Sequence, residues 1–124
     1  MAKRYKHILG AIVGDVIGSS YEGWSAEDLS DNGCKGPLDF ALFTPRTRFT
    51  DDTVMTLAVA RWIMEDPEHH HHTLVSIMQE MGRRYPNAGY GHAFRMWLKS
   101  NNPQPYNSWG NGSAMRVSPV AICA

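Results

Sequence analysis

Apolar residues in this chain fall into four stretches with helical spacing. The first covers Tyr5–Ser20, where Leu9, Ile12, Val13 and Val16 recur on one side. The second covers Thr50–Asp66. There Met55, Ala58, Val59, Trp62 and Ile63 follow the period of an amphipathic helix, and Val54, Leu57 and Met64 widen the apolar face. A helix so apolar on most sides is expected at the centre of its domain, with Pro67 helping to end it. The third, Thr73–Tyr85, places Leu74, Ile77, Met78 and Met81 on one face, and Tyr85-Pro86-Asn87-Ala88-Gly89 then reads as a turn. The fourth, Tyr90–Ser100, carries Tyr90, Ala93, Phe94, Trp97 and Leu98.

Between the first two stretches, Ser25–Phe49 holds Gly33, Gly36, Pro37 and Pro45 and no sustained period. It is predicted to be one long loop, and loops of that length in compact domains tend to be functional lids or mobile segments. After Ser100 the chain breaks at Pro103 and Pro105, and Ser118-Pro119 restarts or kinks a helix. Val120-Ala121-Ile122-Cys123-Ala124 is apolar and lacks a closing signal, which suggests a sequence interrupted inside a buried helix. No useful run of strand-like alternation appears, so the expected class is an all-α domain.

Several polar and glycine positions break the apolar pattern. Gly10, Gly14 and Gly18 lie four apart on the first helix. Each costs roughly 1 kcal/mol there relative to alanine, so close approach of another backbone is expected. A membrane-dimer reading of this stripe fails, because the apolar run is short and contains Asp15. Asp15 itself reads as a hydrogen-bonded structural residue more readily than as a catalyst. His69–His72 is an internal run of four histidines. Adjacent helical histidines point in different directions, so a polar helix start is the better reading, with opportunistic metal binding as the alternative.

Composition narrows the function classes. The chain has 124 residues, enough for one domain with a modest core. Twelve lysines and arginines balance twelve aspartates and glutamates, so no global field points to nucleic acid. The basic N-terminus is interrupted by Gly10, Gly14, Asp15 and Gly18 and lacks a clean cleavage site, so it reads as a soluble helix rather than a leader, with no membrane partner. Cys34 and Cys123 lie far apart without metal-type spacing, consistent with free thiols in a cytoplasmic protein.

The chemistry concentrates at Phe49-Thr50-Asp51-Asp52-Thr53, at the mouth of the central helix. Hard oxygen donors of this kind suit Mg²⁺, Mn²⁺ or Ca²⁺ rather than zinc. On the residues alone, Thr50 as an ordinary N-cap with two first-turn aspartates is the commoner arrangement. Glu22 follows the first helix, between Tyr21 and Trp24. It is either a general base with an adjusted pKa or a solvated loop carboxylate, and this stretch alone favours the second. Trp109-Gly110-Asn111-Gly112-Ser113 allows backbone amides to approach a ligand closely, although Gly-Asn-Gly is also a common turn. Lys35, Arg46 and Arg48 give the long loop a mild basic bias, read as solvated charge.

Four motifs then occur in order: Gly14-Asp15-x-x-Gly18-x-x-Tyr21-Glu22-Gly23, Phe49-Thr50-Asp51-Asp52-Thr53, Tyr85-Pro86-Asn87-Ala88-Gly89-Tyr90-Gly91, and Gly110-Asn111-Gly112-Ser113-Ala114-Met115-Arg116. Together they resemble the ADP-ribosylglycohydrolase family over essentially the whole chain. The resemblance implies a compact orthogonal all-α fold more than twice this length, of which residues 1–124 are the amino-terminal part. It implies a site with two divalent ions, Mg²⁺ or Mn²⁺, with Thr50, Asp51 and Asp52 as amino-terminal ligands. Glu22, with Asp51 and Asp52, would be catalytic. Ser108, Trp109, Gly110, Asn111 and Gly112 would lie against the phosphates and ribose of ADP-ribose. The family's remaining ligands come from a carboxyl-terminal Asp-Thr-Asp motif that this sequence lacks.

The implied reaction is hydrolysis of the glycosidic bond at the anomeric carbon of ADP-ribose on a modified protein or small acceptor. Activity of this chain alone is not expected, and a complementing carboxyl-terminal half or self-association is. Two alternatives stand beside it: a truncated ADP-ribose-binding module without catalysis, and a structural, crystallin-like protein on the same fold. Retention of Thr50, Asp51, Asp52 and Glu22 argues against the structural protein.

Overall fold

A computed structural model describes residues 2–36 and 39–123, with side chains described from Ile8 onward. Pro37, which the loop reading includes, lies outside the described residues. Among the described residues there are seven α-helices, one short 3₁₀ turn and no strand. The class is all-α.

The centre is α3, Asp51–Glu65. Its faces are apolar nearly all round, and Met55 and Ala58 are completely buried. It packs against α4, His71–Arg84, antiparallel in the chain order and joined by a short turn. Val54, Met55 and Ala58 of α3 meet Ile77 and Met78 of α4, together with Ala88, Tyr90 and Leu98. Helix α5, His92–Lys99, then lies on α4. The close approach of these two helices depends on Gly82, where a Cβ would sit 2.4 Å from Leu98 Cδ2. The end of α5 is held from α4 as well. Gln79 Nε2 donates to the carbonyls of Trp97 (3.0 Å) and Ser100 (2.9 Å), and Arg83 Nε donates to that of Leu98 (2.7 Å). These bonds satisfy carbonyls that a helix C-terminus leaves without intrahelical partners.

The α3–α4 turn accounts for the histidine run. Asp66 is buried, and its carboxylate accepts the backbone N–H groups of Glu68 (3.2 Å) and His70 (2.8 Å) as well as lying 3.1 Å from His70 Nδ1. Burial would raise its pKa, but bonds from Thr73 and His70 win and hold it below the usual carboxylate range. His69 takes φ 56°, the left-handed conformation, which sets the chain up for α4 to start at His71. The run is a polar helix start, and among the described residues no cluster of three or more His, Cys, Asp or Glu is placed to hold a metal.

The other half is built differently. Helix α1, Ala2–Gly18, continues into a 3₁₀ turn at Ser19–Tyr21. Leu9 and Val13 are more than half exposed. A Cβ at Gly10, Gly14 or Gly18 would meet no atom within 4 Å, so the expected backbone approach to this stripe is absent among the described residues. Gly14 and Gly18 instead border an apolar cleft of 630 Å³ shared with Ile17, Tyr21, Leu29 and Phe40.

The predicted loop Ser25–Phe49 is interrupted by α2, Ala26–Asp31. With Leu29 as its only large apolar residue, this helix has no readable period. What makes it is a capping box. Ser25 Oγ accepts from Asp28 N (3.1 Å), and the Asp28 carboxylate accepts from Ser25 N (2.7 Å), which also lowers the Asp28 pKa.

Two short helices, α6 at Gly112–Met115 and α7 at Ser118–Cys123, complete the described chain. Helix α7 packs on α3 and α1, leaving Val117 and Val120 exposed. Cys34 and Cys123 are free, and no helix among the described residues is long and apolar enough to cross a membrane.

Candidate active site

The N-terminus of α3 is fixed from α1. Thr50 is its N-cap, and Thr50 Oγ1 accepts from Asp52 N at 3.2 Å. Asp15 of α1 then accepts four bonds at the same point: from Thr50 N (2.7 Å), Thr50 Oγ1 (2.6 Å), Thr53 N (3.2 Å) and Thr53 Oγ1 (2.5 Å). A carboxylate suits this place because the first amides of a helix lack intrahelical acceptors. The structural reading of Asp15 therefore has a definite content: it ties α1 to α3 and orients the Thr50-Asp51-Asp52 turn. From the other side, Asp51 N donates to the carbonyl of Ala88 at 2.8 Å. Gly89 follows with φ +97°, a conformation that favours glycine, and passes close to Asp51 and Arg48.

A cavity of 520 Å³ opens over this turn. Its walls include Glu22, Asp51 and Asp52, the loop Ser108–Gly112, and Arg116. Thus eight of the sequence-selected residues line one space although they come from three separate parts of the chain. Thr50 does not line it. It is 2% exposed, and its hydroxyl is committed to Asp15 as donor and to Asp52 N as acceptor. Glu22 is exposed and follows the 3₁₀ turn. The turn is pinned by Ser20 Oγ against Thr44 Oγ1 (2.6 Å), by Arg48 N donating to Ser19 Oγ (3.0 Å) and by Tyr21 OH donating to the Ala41 carbonyl (2.6 Å). Trp109 is 105% exposed and projects from the rim.

The electrostatics are one-sided. Partial burial pushes the Asp51 carboxyl up to about 6, reinforced by the neighbouring charge of Asp52 and then by Glu22 and Asp15. The same field reaches Tyr90, whose hydroxyl is raised to about 12 by burial and by Asp51. Arg116 is the only lysine or arginine among the lining residues. Burial lowers its pKa, and Tyr106, Asp51 and Asp52 oppose that effect.

Crowded, uncompensated hard oxygens are what a divalent ion relieves. Two carboxylates and the remaining lone pair of Thr50 fit part of a Mg²⁺ or Mn²⁺ shell, which wants about six oxygens. The donor set is of the right chemistry and incomplete among the described residues. His92, Phe94, Tyr106 and Arg116 also line the cavity and were not selected from the sequence. Arg116 sits inside a motif that was noticed. His92 and Phe94 belong to α5, where the period marks a core face and not which edge of it borders a site.

The structure is thus an all-α domain with paired aspartates at the mouth of its central helix, lining one cavity together with a glycine loop. The family model described as ADP-ribosylglycohydrolase matches residues 3–124, and the chain belongs to that family. It is similar to the ADP-ribosylhydrolase ARH3 of Gallus gallus, 27% identical over 139 residues, covering 93% of this chain and 38% of the chicken protein. It is similar also to the ADP-ribosylhydrolase ARH3 of Xenopus tropicalis, again 27% identical, covering 93% of this chain and 37% of the frog protein. The chain therefore spans less than two fifths of the length of these relatives. No solved structure gives a significant match.

Proposed function

We propose that this chain forms the amino-terminal part of the site of a hydrolase that cleaves the glycosidic bond at the anomeric carbon of ADP-ribose. The observation that carries this reading is the convergence of Glu22, Asp51, Asp52 and Ser108–Gly112 on one cavity, within a chain of this family. Asp51 and Asp52, with Thr50, would hold Mg²⁺ or Mn²⁺. When bound, such an ion orients and polarises substrate oxygens.

The chain's own residues have distinct tasks. Glu22, on the exposed turn, accepts a proton from water as it approaches the anomeric carbon. The carboxylates of the acidic wall stabilise the positive charge that develops there, as paired carboxylates do in other glycosidases. Ser108–Gly112 lies against the phosphate and ribose portion. Asp15 keeps the acidic turn in place through its bonds to Thr50 and Thr53.

The exposed Leu9, Val13, Val117 and Val120 support the companion reading that further helices, or a second copy, cover this side in the active assembly. The acceptor from which ADP-ribose is released is a protein residue or a small molecule.

Calorimetry tests the site directly. Mg²⁺ should bind the chain weakly and the Asp51→Ala plus Asp52→Ala variant not at all. Equal binding by both would reduce Thr50-Asp51-Asp52 to a helix cap. Hydrolysis of ADP-ribosylated arginine and serine peptides should be undetectable with the chain alone and appear on mixing with a segment that supplies Asp-Thr-Asp. Turnover by the chain alone as a monomer would overturn the part-site reading.

A further inference from the structure

Arg116, the one lysine or arginine among the described residues lining the cavity, has three fixed contacts and one free end. Arg116 Nε donates to the Gly112 carbonyl at 2.5 Å, Nη1 lies 3.9 Å from Met78 Sδ on α4, and the guanidinium stands over the Phe94 ring of α5 at 5.0 Å. Nη2 has no hydrogen-bond partner among the described residues, and no carboxylate lies within 4 Å of the group. The guanidinium tip also lies close against residue 112, where a Cβ would fall 2.6 Å from Nη2. Such anchoring is more than a solvated surface arginine receives. It leaves the outer edge of a planar, permanently charged donor beside the Gly110–Gly112 loop, across the cavity from three carboxylates.

We propose that Arg116 is the anion-binding residue of this site and takes a pyrophosphate oxygen of the ligand on Nη2, while its Nε holds the loop that the same group lies against. An arginine fork suits phosphate oxygens. The cavity is thereby divided. One wall takes the metal and the ribose, and the other takes the diphosphate. This division rests on the function proposed above, and its test does not use hydrolysis.

The probe is inorganic pyrophosphate, titrated in the absence of metal, with Mg²⁺ titrated separately. In Arg116→Met, pyrophosphate affinity should fall at least tenfold while Mg²⁺ affinity rises two- to threefold, because a positive charge near Asp51 and Asp52 is gone. Opposite signs are the signature of a ligand-binding cation. A merely structural residue would weaken both, and that result overturns the assignment, as does pyrophosphate binding unchanged in the variant or absent in the wild type. Should Arg116→Met fail to fold, Gly112→Ala serves, because its methyl displaces the tip of a flexible side chain without removing it. It should weaken pyrophosphate at least threefold, and unchanged binding again overturns the proposal. Loss of Mg²⁺ discrimination by Asp51 and Asp52 with Arg116 behaving as stated would instead refute the metal reading alone.

Discussion

Helices α3 and α1 flank the same site and are held by different forces. Helix α3 lies in apolar contact on most sides, with Met55 and Ala58 at 0% exposure. None of the described side chains of helix α1 lies in the buried apolar cluster. The helix is joined to α3 through Asp15 and to the following segment through the hydroxyls of Ser19, Ser20 and Tyr21. Apolar burial is non-directional and cumulative, whereas a hydrogen bond to a buried group is local and costly to lose. The body of the helix that carries the acidic turn belongs to the first regime, whereas the link from Asp15 to that turn and the Glu22 turn belong to the second. A site assembled in this way keeps its ligands fixed while the segment bearing the proton acceptor opens more easily.

The sharpest way to break this comparison is to attack each side in its own terms. Met55→Ala should cost about 2–5 kcal/mol, the usual range for a large-to-small change in a closed core, read as a shift of the urea midpoint at unchanged slope. Val13→Ala, the matched change on α1, should stay within about 0.5 kcal/mol. Equal losses at the two positions would mean that α1 is buried against something in solution.

Asp15→Ala comes next. It strands the N–H and hydroxyl donors of Thr50 and Thr53, with a cost of about 2–3 kcal/mol. Hydrogen exchange should show α1 and the Glu22 turn losing protection before α4 and α5. Uniform loss over all helices would contradict a separable α1.

The smallest effect is in pH. The native carboxyl of Asp51 titrates near 6 and its unfolded counterpart near 3.8. Between those values the native state holds more protons, so stability should fall as pH rises from 4 to 6 and stay level above. After allowance for solvent screening at a half-exposed group, the change is about 1 kcal/mol. Asp51→Asn should flatten this slope, and Mg²⁺ should reverse it, since a cation favours the ionised form. A slope of the opposite sign would mean that Asp51 is paired with a cation in solution.

The regime a segment belongs to also governed how far its sequence could be read. Helices α3, α4 and α5 were legible because one face of each meets the core, and Met55, Ile77 and Leu98 show it at helical spacing. Their ends moved by one or two residues. Helix α2 was hidden: six residues with a single large apolar side chain carry no period, and only Ser25 and Asp28 at cap spacing announce it. The glycines of α1 were visible, but their environment depends on what packs there, which no local pattern contains. At the site, adjacency exposed Asp51 and Asp52. Arg116 stayed obscure because its meaning lies in contacts with Met78 and Phe94, made across 38 and 22 positions of chain.

Trp109 carries a practical consequence. The chain has four tryptophans, and Trp24, Trp62 and Trp97 are each partly shielded by neighbouring side chains or backbone. Trp109 is wholly in water at the cavity rim. Its emission should therefore be the reddest component of the protein's fluorescence and the first to be quenched by iodide. A ligand seated against Ser108–Gly112 would shield that indole and shift it to the blue while the other three report only on folding. The molecule thus contains its own optical gauge of occupancy, read at one wavelength without a label.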